Sequence, residues 1–397
     1  MHPAQSTWAS LQGLVLVLFL TYIIGDIFPV FQSGNPQPSD FVMALVVGSV
    51  VTGLAFKIRE SHRILALLAL LLFWIWQVNF FHYSFDESAS HATGWWSTAH
   101  FLWSNAYYLF NIGIFLAVST LFQHFNTTFI RSVRVTLLLT LMLEVAAVIV
   151  ISSDAAPREP GLYRSVGTYE DPNQLAYWAI LALCSLLVLA PQERLGGVEI
   201  AGIVAATFIV LSSLSRSGAL GLTIVVLVAL TTLRIRAALA LLACAAVLAI
   251  ILSWSNTRFI GALFEQGEAA QLASRFSEND GDDDLAGRGY ERLWRFPEHL
   301  FLGAGEGAYR RFRGGTFSET EFHSTLGSML FSYGIVGLGL FGCFLWEVFR
   351  RAPLRHKAYF LGPMAWGLFN YGGRFSTFWV FLALVYASSI ARARSTG

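Results

Sequence analysis

Charge is scarce in this chain of 397 residues. Asp, Glu, Lys and Arg together make 13% of it, about half the share usual in a soluble globular domain. Lysine is nearly missing: Lys57 and Lys357 are the only two. Cysteine is confined to Cys184, Cys244 and Cys343, each inside an apolar run and none in a metal or redox spacing. They read as small apolar packing residues, with no disulfide expected. The nine histidines include no HExxH or other zinc spacing. The formal net charge of +1 leaves no basic footprint for a nucleic acid. These shortages exclude a cytosolic enzyme, a disordered chain and a nucleic-acid binder.

What the chain has instead is apolar length. Hydrophobic residues make up 55% and the mean hydropathy is +0.58. Runs long enough for a bilayer lie near 11–31, 41–57, 64–80, 100–122, 135–153, 174–190, 196–214, 218–233, 237–254, 324–349, 358–372 and 375–391. Each core crossing takes about 20 mostly apolar residues. The expected fold is all-α: a single polytopic bundle over 1–397 with about 12 transmembrane helices, and a large helical loop at 255–322 between spans 9 and 10. The first run is too long for a cleaved leader and lacks a charged lead-in.

The distribution of basic residues orients the bundle. With a cytoplasmic N-terminus, one set of connections gathers Lys57, Arg131, Arg134, Arg350, Arg351 and Lys357, and Arg392 and Arg394 follow the last span. The alternate short loops are nearly bare of Lys and Arg, with Arg216 as the exception. Both termini are therefore expected in the cytoplasm, and 255–322 outside.

That loop holds twelve of the 25 acids and eight of the 26 bases. An amphipathic helix is expected over 258–276, then a polar break over 277–287. A helix over 287–300 puts Arg288, Arg292 and Arg295 at i, i+4 and i+7, on one face. A glycine turn at 303–307 precedes a short basic stretch with Arg310, Arg311 and Arg313. His323 stands where the tenth span begins.

Several residues carry possible chemistry. Arg216, in Ser215-Arg216-Ser217-Gly218, sits between two apolar spans with no room for a loop. A permanent charge there either snorkels to the headgroups or serves a cavity, and guanidinium suits bidentate phosphate binding. The Arg288/Arg292/Arg295 face is either a clamp for an anion or a solvated helix balanced by Glu291 and Glu298. His323 is either structural or a base able to take a hydroxyl proton near neutral pH. The stretch 164–173 (RSVGTYEDPN) supplies Arg164, Asp171 and Asn173, which either meet a sugar or cap span six. Glu306 either orients His323 or binds sugar. Tyr290, Trp294 and Tyr309 either stack on sugar rings or pack the loop. Glu144, inside a span, either pairs with a buried base or lines a path. The acids of 280–284 lack the closing Glu of a calcium loop and read as a solvated tip.

Three pieces of sequence together resemble the bacterial O-antigen ligases and O-antigen or exopolysaccharide polymerases, the Wzy/WaaL-type membrane proteins. SRSG at 215–218 resembles the family's arginine motif between two spans. GRGYERLW followed by LFLGAGEGAYRRF resembles its arginine–tryptophan helix and glycine-rich turn. HSTLG leading into SYGIVGLGLFG resembles its His before a glycine-bearing span, and DPNQLA at 171–176 resembles a further element. The likeness covers roughly 160–345; the first half matches in hydropathy alone.

The resemblance implies a glycosyltransferase of the bacterial inner membrane with its active site on the periplasmic face and no cofactor. The implied donor is a glycan on undecaprenyl diphosphate. The implied acceptor is a sugar hydroxyl, on a second lipid-linked repeat unit or on lipid A–core. Arg216 and Arg288 match the arginines expected to hold the diphosphate, with Arg292 the alternative in the loop, and His323 matches the residue expected to activate the acceptor. Polymerisation is the preferred reading and ligation the second. A lipid-linked oligosaccharide flippase and a non-catalytic assembly scaffold are the other classes open.

Overall fold

The computed structural model describes residues 3–31, 36–53, 61–85, 98–151, 165–191, 195–231, 289–306, 312 and 322–396. All regular structure among them is helical: α1 (Pro3–Gly25), α2 (Pro38–Val51), α3 (His62–Phe85), α4 (Thr98–Phe125), α5 (Thr127–Ile151), α6 (Pro172–Val188), α7 (Gly197–Ser212), α8 (Arg216–Leu230), the short α9 (Arg292–Arg295) and α10 (His299–Leu302), α11 (Thr325–Phe349), α12 (Leu354–Gly367) and α13 (Ser376–Thr396). Eleven of the twelve apolar runs fall on these helices; the run at 237–254 lies outside the described residues. So do Cys244, the expected helix over 258–276, the polar break over 277–287 and the basic stretch with Arg310, Arg311 and Arg313. Among the described residues four helices are long and apolar enough to cross a membrane, and shorter apolar helices accompany them.

Two helices form the centre. Every residue of α6 from Leu175 to Val188 is buried, as is every residue of α13 from Phe378 to Ala387. A helix apolar on all sides can be wrapped on all sides. α13 packs on α4 and α6, α6 also packs on α7 and α8, and α8 packs on α12. The α8–α12 crossing is close because glycines face each other: a Cβ on either Gly221 or Gly362 would stand 2.7 Å from the other's carbonyl oxygen. The outer helices turn Phe41 and Leu45 of α2, Phe73 and Trp76 of α3, and Val135 and Val150 of α5 outward. Exposed apolar faces this extensive suit acyl chains rather than water.

The end of the bundle that carries His323 depends on a break in α11. Gly334 there has φ 68° and ψ −176°. The break releases the carbonyls of Phe331, Ser332 and Tyr333 from the helix ladder. Ala304 N–H donates to Phe331 O at 2.8 Å, Gly305 N–H to Ser332 O at 2.9 Å, and the Trp74 indole to Tyr333 O at 2.7 Å. The 303–306 turn is thus threaded into the bundle between α3 and α11. His82 of α3 contacts Gly303 O at 3.0 Å, and Glu306 N–H donates to Asn79 Oδ1 at 2.9 Å. Irregular backbone at membrane depth needs such partners.

Two expectations need correction. The helix over 287–300 is not continuous: it is two short pieces, α9 and α10, separated at Phe296 (φ −126°, ψ 59°). Pro297 is the cause, since proline removes a donor and pushes the preceding residue out of the helical region. Among the described residues Glu144 meets no base. It accepts from Thr168 N–H at 2.9 Å and from the Thr168 hydroxyl at 2.8 Å, pinning the approach to α6.

Alanine at Gly334 would meet both a left-handed φ and a collision with the Phe301 carbonyl. Gly334→Ala is expected to cost at least about 2 kcal/mol, visible as a lowered melting temperature in detergent. Gly339→Ala, where the new Cβ meets open space, is expected to be neutral or better. Equal melting of the two variants contradicts the break.

Candidate functional site

Three helix N-termini meet at one end of the bundle. Asp171 caps α6, accepting from the N–H groups of Asn173 (2.7 Å) and Gln174 (3.2 Å), with Pro172 in the first turn. Ser215 caps α8 and Ser324 caps α11, accepting from Gly218 N–H and Gly327 N–H. Side chains tie the three together. The Ser215 hydroxyl donates to Asn173 Oδ1 at 2.8 Å, Asn370 Nδ2 donates to Ser217 Oγ at 2.8 Å, and the Thr325 hydroxyl donates to Asn370 O at 3.1 Å. The caps of α8 and α11 are uncharged serines, so the positive ends of those two dipoles are not neutralised by their caps. Such ends are ready-made for an anion.

Arg216 is the first residue of α8 and is half-buried. The preceding Leu214 is buried with φ 49°, a costly conformation for leucine. That strained reversal joins α7 to α8 in three residues and sets Arg216 at the helix end. Its Nε and Nη2 are shielded from solvent. His323 lies one residue before the α11 cap and is exposed. The bonds from Ser217 through Asn370 to Thr325 place Arg216 and His323 on the same cluster.

The loop contributes Arg292 to this end. It is 1% exposed, a severe cost for a permanent charge. A Cβ on Gly289 would stand 3.7 Å from the Arg292 Cζ and 3.8 Å from the Phe322 Cα, so both groups border Gly289. Arg295 does not share its face. It is more exposed and pairs with Glu291 within the same helical turn. Arg288 and Arg164 lie outside the described residues. The Tyr290 hydroxyl is bonded to Ser324 Oγ and Leu368 O, both at 2.7 Å, so it braces the loop against the α11 cap.

Glu306 departs from expectation. It is 1% exposed and turned into the bundle. Its Oε1 accepts from Arg374 Nε at 2.9 Å and the Tyr371 hydroxyl at 2.8 Å, and its Oε2 accepts from the Tyr333 hydroxyl at 2.7 Å. The Tyr108 hydroxyl bonds that of Tyr371 in turn. Burial, and then the Glu306 charge, hold the Tyr371 phenol well above its ordinary value, so it remains a donor. Three converging groups account for this carboxylate: it fixes the 303–306 turn rather than facing His323.

The segment 368–375, between α12 and α13, belongs to both networks. Asn370 reaches the α8 and α11 ends, while Tyr371 and Arg374 hold Glu306. Asn111 Nδ2 donates to Arg374 O at 3.0 Å and the Trp379 indole to Gly373 O at 2.9 Å. Neither Asn370 nor Arg374 is among the residues that motif reading selects. Arg374 carried the same signal as Arg216, an arginine in a very short turn on the side expected to be outside, so Arg216 is not the lone exception to the charge pattern. Among the described residues no group of three or more His, Cys, Asp or Glu is placed to hold a metal. Cys184 and Cys343 are free thiols.

Fold and site together define an all-helical chain of membrane-protein build with a polar cluster at one end. No family model and no curated protein matches it.

Removing Glu306 takes this acceptor from the Arg374 cation and from the Tyr333 and Tyr371 phenols. Glu306→Ala is expected to cost on the order of 3 kcal/mol, toward the low side because Arg374 keeps some solvent. Glu306→Gln, which retains an acceptor, is expected to cost less. Adding Arg374→Met to Glu306→Ala is expected to recover part of the loss in thermal unfolding. If the double variant melts lower than Glu306→Ala, the ion-pair account is wrong.

Proposed function

We propose that this chain is a glycosyltransferase with about 12 spans in the bacterial inner membrane, both termini cytoplasmic and the site periplasmic. It transfers a glycan from undecaprenyl diphosphate to a sugar hydroxyl, polymerising O-antigen or exopolysaccharide repeat units without a metal. The observation that supports this reading is the tie through Asn370 between the first turn of α8, which Arg216 begins, and that of α11, which His323 precedes.

The chemistry follows from the charges. The acceptor oxygen attacks the anomeric carbon, the bond from that carbon to the phosphate oxygen breaks, and its electron pair goes to the diphosphate. Attack opposite the leaving group inverts the anomeric centre. Arg216 and Arg292 hold the diphosphate and offset the charge that develops on it. Fixed donors in a partly dry site are worth about 10²–10³ in rate. His323, exposed to the aqueous side, takes the acceptor's proton, a contribution of about 10²–10⁴. Asn173 and Ser215 complete the polar wall, and Asp171 keeps α6 in register.

Ligation to lipid A–core uses the same site with a different acceptor and is the second reading. The transporter reading is disfavoured by the settings of Asp26 and Glu144: each carboxylate is bonded to a threonine hydroxyl, Thr377 and Thr168 respectively.

Purified protein reconstituted with an undecaprenyl-diphosphate repeat unit and EDTA is expected to give a product ladder. Product only on adding lipid A–core assigns the ligase reading. Movement of the lipid across the bilayer without transfer overturns the enzyme. His323→Ala and Arg216→Ala are each expected to lower turnover at least about 100-fold while the protein still folds in detergent. Near-normal turnover of either variant removes that residue from the mechanism.

A further inference from the structure

Arg216 and His323 stand on different helices, and the geometry points to Asn370 as the positioning residue that fixes one against the other. Asn370 is 7% exposed and lies just beyond α12. Its side-chain Nδ2 donates to Ser217 Oγ at 2.8 Å, one residue past Arg216. Its carbonyl accepts from the Thr325 hydroxyl at 3.1 Å, two residues past His323. The Gly372 N–H donates to that same Thr325 oxygen at 2.9 Å, so α11 is held by the segment's backbone at two points. At the α8 end Asn370 supplies a side-chain tie to the segment.

The segment is itself anchored. Gly373 and Arg374 are fixed by Trp379 and Asn111, and the Tyr371 and Arg374 side chains are fixed by Glu306. Asn370 is therefore a rigid bracket rather than a floating contact. Without its amide, the Ser217 hydroxyl keeps only the long contact of 3.4 Å to Ser215 Oγ, and the first turn of α8 is released relative to α11. Arg216 rides on that turn. In-line displacement is sensitive to such a shift: a displacement of about 1 Å costs on the order of 100-fold. The remaining guanidinium still binds diphosphate, so the loss falls on turnover more than on donor affinity.

The inference rests on the transferase reading for its kinetic consequence but not for its structural one, and the two are tested separately. In the structural arm, Leu220→Cys on the exposed side of α8 and His323→Cys carry nitroxide labels, in a background with Cys184, Cys244 and Cys343 replaced. Dipolar broadening then reports their separation. Asn370→Ala is expected to widen the distance distribution while the melting temperature stays near that of the parent. An unchanged distribution overturns the bracket whatever the activity. In the kinetic arm, Asn370→Ala and Ser217→Ala in otherwise wild-type protein are each expected to lower kcat about 10-fold with donor KM changed less than about twofold. The double variant is expected to be no slower than either single one, because both remove one bond. Additive losses, or a loss confined to KM, overturn the positioning role. If wild-type protein transfers no glycan while the label distribution widens, the transferase reading fails and the bracket stands.

Discussion

A helix can be broken at membrane depth only if every carbonyl it frees finds a donor. In α11 that requirement is met by two backbone N–H groups of the 303–306 turn and one indole. The turn can lie so close only because residues without side chains occupy the contact. A Cβ on Gly303 would collide with the Ser332 carbonyl, and one on Gly334 with that of Phe301. The loop is thereby part of the bundle, and the half of α11 that carries Ser324 at its cap is held as a separate short helix. The position of His323 follows from that seat.

Charge is used with the same economy. Once the turn is seated, Glu306 is carried into an apolar interior and must be satisfied there. Arg374, Tyr371 and Tyr333 do so, and the first two sit on the segment between α12 and α13. Asn370, in the same segment, joins the N-termini of α8 and α11. One stretch of chain thus answers the burial of a carboxylate and sets the spacing of two candidate functional residues. Arg292 and Arg216 are the charges at this end whose placement costs most, the first by near-complete burial and the second by the strained turn before it.

Much of the helix pattern was legible because a bilayer demands apolar length, and length is visible in sequence. Which helices would be central was not: every span is apolar, so nothing marked α6 and α13 as the buried pair. The cap of α6 was one of the two readings that 164–173 offered, because capping is local chemistry, and Asp171 fills it. The Glu306 network was illegible for the opposite reason, since its members come from α4, the turn, α11 and the last connection. Pro297 announced the break between α9 and α10, but the regular spacing of Arg288, Arg292 and Arg295 suggested a continuous face, and the proline prevailed. Arg374 was readable by the rule that singled out Arg216; drawing a span up to residue 372 hid the turn that contains it.

The central claim is that Arg216 and His323 serve one anion-binding site. Chemical modification of His323 by diethyl pyrocarbonate, mapped by mass spectrometry, addresses it most directly. His323 is exposed and is expected to react in the free protein. Undecaprenyl diphosphate is expected to protect it in wild-type protein but not in Arg216→Ala, with undecaprenol giving no protection in either. Modification of His323 at the same rate with and without the lipid diphosphate in wild-type protein contradicts the account.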